Sequence, residues 1–210
     1  MRCLTEVGEC HNVARIGKIA LLVGNVNVIK IVTKKKEQTI FEFTINKRNI
    51  YISDKENVQI KPREKNKLNW DDKLTLEFNG EAPVLSELII NKVEDVPTIF
   101  LCGNSTVVDQ DNEPWASWGQ MITRFFNEKV CFANYAESGE SANTFIAAGR
   151  LQKALTQMKS GDYIFMEFGH NDQKQKGPGK GAFYSYMTSL KTFIDAAKLR
   201  GAHPVLVTPT

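Results

Sequence analysis

Three short blocks constrain this chain most: Gly103-Asn104-Ser105-Thr106, Glu137-Ser138-Gly139-Glu140-Ser141 and Gly169-His170-Asn171-Asp172. The first and third directly follow apolar runs at 98–102 and 163–168 that read as buried strands. The second follows a run at 130–135 after a short polar turn. Helical stretches are expected over 115–127, 141–159 and 182–200, and a fourth strand over 204–208. In the last helical stretch Phe183, Tyr186, Met187, Leu190, Phe193, Ile194 and Ala197 recur at helical spacing, which predicts a core stripe. Strands alternating with helices predict right-handed crossovers and an open, flavodoxin-like parallel α/β sheet. Such a sheet gathers its site at the carboxyl ends of its strands, where Ser105, Gly139 and Asn171 all fall.

Each block suits a distinct chemical task. A serine hydroxyl on a tight turn after a strand can attack an acyl carbon. The backbone N–H of Gly139 and the side-chain amide of Asn171 can meet the oxygen that turns negative in the tetrahedral intermediate. Losing one such donor typically costs about 2.7–4 kcal/mol of transition-state stabilisation. Glycine admits close approach of backbone, and asparagine donates N–H bonds without carrying charge.

At these residues the chain resembles the SGNH (GDSL-like) hydrolases, and most closely their rhamnogalacturonan acetylesterase branch. Gly103-Asn104-Ser105-Thr106-Val107 occupies the family's Gly-Asp-Ser block, which makes Ser105 the implied nucleophile. Gly139 matches the oxyanion glycine of the second block, and Gly169-His170-Asn171-Asp172 matches Gly-x-Asn-Asp with Asn171 as the other oxyanion donor. The resemblance runs from about 98 to 210, and the contexts Trp115-Ala116-Ser117-Trp118-Gly119 and Ser141-Ala142-Asn143-Thr144-Phe145 sharpen it. It implies a secreted or periplasmic serine esterase that removes acetyl groups from rhamnogalacturonan through an acetyl-serine intermediate, with neither metal nor cofactor. A non-catalytic carbohydrate-binding or structural fragment is the alternative from another class.

Two departures from the family pattern stand out. Asn104 replaces the aspartate of the first block; it is nearly isosteric, and that aspartate is not the triad acid. The family also carries an Asp-x-x-His segment near its C-terminus, which supplies acid and base, and no such segment occurs here, so the hydrolase unit reads as C-terminally truncated and this chain as a poor esterase. Only His11, His170 and His203 exist. His203 opens the fourth strand, about 17 Å from the catalytic edge at roughly 3.3 Å per residue. His11 lies in the other half of the chain, and His170 reads as structural.

Before residue 96 the pattern changes. Short β-rich runs at 19–23, 26–32, 39–44, 49–52, 57–60, 73–78 and 85–90, separated by charged or glycine turns, favour an antiparallel sandwich. The expected organisation is a β-sandwich-like accessory domain over 1–95 and the hydrolase domain over 96–210, joined at Val93-Glu94-Asp95-Val96-Pro97. No apolar run reaches the roughly 18–20 residues of a membrane span, and the chain shows no secretory leader. Cys102 and Cys131 are expected at opposite ends of the sheet, too far apart to bridge; a Cys3–Cys10 disulfide stays open.

With 27 Lys and Arg against 24 Asp and Glu, the net charge is only +3, which disfavours a nucleic-acid partner. The basic runs at 34–36 and 61–67 therefore read as solvated turns, and Asp109, Asp111 and Glu113 as a polar loop. The run Lys174-Gln175-Lys176-Gly177-Pro178-Gly179-Lys180-Gly181 follows the third block directly. It admits two readings: a solvated loop, or a rim on which Lys174, Lys176 and Lys180 attract the carboxylates of an acetylated plant-cell-wall polysaccharide.

Overall fold

The computed structural model describes residues 2–3, 10–14, 20–23, 27–29, 42–79, 89–112 and 114–209. The first half contributes β1 (Arg2–Cys3), β2 (Cys10–Ala14), β3 (Ala20–Val23), β4 (Asn27–Ile29), β5 (Glu42–Asn46), β6 (Leu74–Asn79) and β7 (Ile89–Val93). These form two antiparallel sheets, ordered β1-β6-β3-β4 and β5-β2-β7. The runs at 34–36, 39–41 and 85–88 lie outside the described residues.

The second half forms a parallel sheet from β8 (Thr98–Gly103), β9 (Cys131–Asn134), β10 (Tyr163–Glu167) and β11 (His203–Leu206), ordered β9-β8-β10-β11. This is the parallel α/β core the alternation predicts. Every residue of β8 is buried, as a central strand covered on both faces requires. Its side chains alternate between two clusters. Phe100 and Cys102 pack with Ala133, Tyr135, Phe145, Ile164 and Phe193, while Ile99 and Leu101 pack with Val107, Phe132 and Ala136 on the other face. Cys131 pairs with Thr98 and Cys102 with Met166, so the two cysteines do sit at opposite ends of the sheet.

Residues 47–73 depart from the strands expected at 49–52 and 57–60. Only isolated bridges form, Asn49 with Asp71 and Tyr51 with Asn57. The Asn49 side chain accepts from the Tyr51 N–H at 3.0 Å, and the N–H groups of Ile52 and Ser53 both turn back onto the Glu56 carbonyl at 2.9 and 3.1 Å. Local polar groups thereby capture the backbone that a ladder would need. Val58 and Trp70 from this segment then join the core around Phe100 and Tyr135.

The helices are shorter than their periodicity suggests: α1 (Trp118–Met121), α2 (Ala142–Ala147), α3 (Arg150–Gln157) and α4 (Met187–Leu199). Ser117 caps α1, accepting from the Gln120 N–H at 3.1 Å, and a 3-10 turn over Ile122–Phe125 ends that stretch. The expected 141–159 helix breaks at Gly149, which adopts φ +75° and whose added Cβ would lie 2.8 Å from Ile52 Cδ1. The carbonyl freed at Ala148 accepts from Gln59 N–H at 2.9 Å. A π-turn over Ala182–Tyr186 precedes α4. Its wider winding rotates Phe183 and Met187, both expected in the core stripe, out to solvent at 80% and 56% exposure, while Phe193 and Ala197 remain fully buried.

Candidate active site

The order β9-β8-β10 places the first strand of the parallel sheet between its two successors. The loops leaving β8 and β10 therefore diverge, and the crevice between them is where open α/β sheets bind ligands. Gly103 is required at this exit, because a Cβ there would lie 2.5 Å from Val107 Cγ2 and 2.9 Å from the Glu167 carbonyl. Asn104 organises the turn. Its Oδ1 accepts from the Thr106 N–H and hydroxyl at 3.1 and 3.0 Å, and its carbonyl accepts from Val107 and Val108 N–H. Ser105 sits half-buried at the apex. Its carbonyl accepts from Gln110 Nε2 at 2.9 Å, and among the described residues its hydroxyl has no hydrogen-bond partner.

The second block runs on from β9 alongside β8, with Tyr135 N–H on the Leu101 carbonyl at 2.9 Å and Glu137 N–H on the Gly103 carbonyl at 3.2 Å. Gly139 lies exposed at φ +82°, a conformation that glycine adopts without strain. Asn171 joins the third block to the second by donating from Nδ2 to the Glu140 carbonyl at 2.9 Å, while its Oδ1 accepts from Lys174 Nζ at 3.1 Å. These bonds fix the amide's orientation and leave one N–H of Nδ2 for a further acceptor. Gly139 and Asn171 are thus held on adjoining loops, with Ser105 on the neighbouring strand end. None of the three hydrogen-bonds another directly.

Of the lysines after the third block, only Lys174 touches a site residue; Lys176 turns back to the Gln173 carbonyl and Lys180 is exposed. His170 is exposed and lines a cleft of about 380 Å³ with Gly169, Asp172, Tyr186 and Pro209. Ser105 does not line this cleft. His203 lies at the amino end of β11, its ring 4.9 Å from that of Tyr163, as its position in the strand predicts.

Two buried carboxylates, Glu167 and Asp172, carry structural roles that the sequence does not assign. Glu167 ends β10 and accepts from both the Thr106 hydroxyl and Trp118 Nε1, tying the Ser105 turn to the adjacent strand. Its signal was a lone acid in an otherwise apolar run. Asp172 accepts from Ala142 N–H at 2.8 Å and Gly169 N–H at 2.9 Å, locking the third block to the start of α2; burial raises its carboxyl above the usual range against those bonds.

Asp109, expected in a polar loop, is also buried, with Asn134 Nδ2 donating to it at 2.9 Å. Burial pushes its carboxyl up to about 7, against the opposing charge of Arg48 and the Asn134 bond. The unfolded value is about 3.9, so the native state holds an extra proton between roughly pH 4 and 7. Stability from this group therefore falls as pH rises through that window. Asp109→Asn is expected to flatten the loss, changing the parent-to-variant stability difference by up to about 4 kcal/mol between the two ends of the window. Urea midpoints at pH 4.5 and 8 measure it; parallel pH profiles would discard the assignment.

A parallel sheet with Ser, Gly and Asn on successive loops at its carboxyl edge is the architecture of an SGNH-type hydrolase. No family model matches the chain. Over 112 residues it is 42% identical to the rhamnogalacturonan acetylesterase RhgT of Bacillus subtilis (strain 168), spanning 52% of this chain and 47% of RhgT. It is 36% identical over 114 residues to the probable rhamnogalacturonan acetylesterase YesY of the same strain, spanning 53% and 52%. The chain thus spans about half the length of these curated relatives. The crystal structure of YxiM from Bacillus subtilis shares the fold, with a TM-score of 0.51 and 24% identity over 97% of this chain and 55% of YxiM. These similarities support an SGNH-like hydrolase family for the chain.

Proposed function

We propose that this chain carries the nucleophile and oxyanion elements of a carbohydrate acetylesterase acting on rhamnogalacturonan. The observation that carries the reading is the convergence of the three blocks at the carboxyl ends of β8, β9 and β10, with the Ser105 hydroxyl presented at the turn. Ser105 attacks the acetyl carbonyl. The N–H groups of Ser105 and Gly139, with the remaining N–H of Asn171 Nδ2, stabilise the oxyanion, and water then hydrolyses the acetyl-serine. Neither His170 nor His203 hydrogen-bonds Ser105, so the base must reach it from elsewhere. An Asp-x-x-His segment of the family type fulfils that role in this reading, and without it turnover is slow. The free Ser105 hydroxyl also favours the second reading, a non-catalytic carbohydrate-binding fragment. A fluorophosphonate decides between them: covalent labelling at Ser105 supports the esterase, and an unlabelled serine in a chain supplied with an Asp-x-x-His segment rejects it.

Residues 1–95 form an accessory unit in this proposal, and secretion follows from a substrate polymer too large to enter a cell. Lys174, Lys176 and Lys180 attract the galacturonate carboxylates of that polymer. Replacing Lys176 and Lys180, neither of which touches Asn171, with Gln is expected to raise KM for the pectic substrate severalfold, with a wild-type advantage that shrinks as salt rises. Hydrolysis of p-nitrophenyl acetate should not change. Equal effects on both substrates would discard electrostatic attraction as the role of this rim.

A further inference from the structure

Resting on that reading, we propose that Lys61 and Arg63, from the first half of the chain, are positioning residues that orient and polarise the Gly139 oxyanion donor. Both cations converge on one atom, the Ser138 carbonyl oxygen, with Lys61 Nζ at 2.7 Å and Arg63 Nη2 at 2.5 Å. That carbonyl and the Gly139 N–H belong to one planar trans peptide group, so they point in opposite directions. Holding the oxygen toward Lys61 and Arg63 aims the N–H away from them. Charge-assisted bonds at the oxygen also draw electron density from the amide and make its N–H a stronger donor.

The loop's own charges need these cations. Glu137 and Glu140 flank the Ser138–Gly139 peptide and are both buried, and their negative charge opposes an oxyanion formed nearby. Lys61 pairs with Glu140 at 2.7 Å and Arg63 pairs with Glu137, which offsets both. Lys61 Nζ lies 3.6 Å from where a Gly139 Cβ would stand, placing the ammonium beside the donor itself. The pair is anchored from below. Pro62–Glu64 forms a 3-10 turn, Glu64 Oε2 accepts from Lys61 N–H at 2.8 Å, and Glu64 is ion-paired with the fully buried Arg150.

In a chain supplied with an Asp-x-x-His segment, the test compares the parent with Lys61→Met/Arg63→Met, Lys61→Met alone, and the conservative Lys61→Arg. In the double variant the Gly139 amide resonances should move upfield, and fluorophosphonate labelling of Ser105 should slow about tenfold or more, a fraction of the loss of the donor itself. Lys61→Met should show part of both effects, which also covers a double variant that does not fold. Lys61→Arg should retain both parent values. An unmoved Gly139 resonance with an unchanged labelling rate overturns the inference. A parent that is unlabelled at Ser105 overturns the esterase reading separately, and the Gly139 resonance still decides whether the two cations polarise that peptide.

Discussion

Replacing Ser105 with alanine is expected to abolish acetyl-ester turnover and fluorophosphonate labelling while leaving the fold intact. The substitution removes one oxygen from a half-buried turn residue whose hydroxyl bonds to nothing among the described residues, so its cost in stability should stay within about 0.5 kcal/mol. The chemical cost is of another order. In serine hydrolases the loss of the nucleophile removes about 10⁶ in kcat, leaving only the residual contribution of the oxyanion hole and binding. The measurement is acetate release beside a thermal melt, in a chain extended through an Asp-x-x-His segment. Retained turnover with an unchanged melt would remove Ser105 from the reaction.

Arg150→Met is expected to have the largest effect on stability, about 3–5 kcal/mol, because it leaves a buried charge without its partner. Arg150 at 0% exposure and Glu64 at 2% form an ion pair across 86 residues of sequence. Glu64 also accepts from Trp70 Nε1 at 3.1 Å, and the Arg150 guanidinium lies 5.7 Å from the Trp70 ring centre. Burial alone would raise the Glu64 carboxyl, but the Arg150 bond and charge, with Lys61 N–H and Trp70, hold it below the usual range. Without Arg150 that balance reverses. Changing both partners, as Arg150→Met/Glu64→Leu, should recover much of the loss, since an apolar pair carries no desolvation cost. Urea unfolding of the two single variants and the double measures the coupling. A loss below about 1 kcal/mol for Arg150→Met would show that the pair contributes little.

The parallel core was legible because it obeys simple rules: apolar runs of strand length, each ending in a block of small or polar residues. The Ser105, Gly139 and Asn171 loops could be located from those blocks alone, although their catalytic roles rest on the proposal. What the sequence concealed is long-range pairing. Lys61, Arg63 and Lys67 read as a solvated basic turn, yet they pair with Glu140, Glu137 and Asp111, and no local pattern announces partners so far along the chain. The helix break at Gly149 was hidden for a related reason, since its left-handed turn serves a contact with Ile52 and Gln59. Helical periodicity likewise overestimated the stripe of α4, because a π-turn adds a residue that the 3.6 period cannot anticipate.

Lys153 shows what this stitching means for modularity. It is buried on α3 and donates to Asn49 Oδ1 at 2.9 Å and to the Tyr51 carbonyl, so its ammonium finds its acceptors in the other half of the chain. Arg150, one turn away, depends on Glu64 in the same manner. The parallel sheet therefore depends on residues 49–64 for its electrostatic balance: exchanging that stretch for a foreign segment would strand two cations beneath the graft. Recombination that separated these partners would be opposed by electrostatics before function was ever tested.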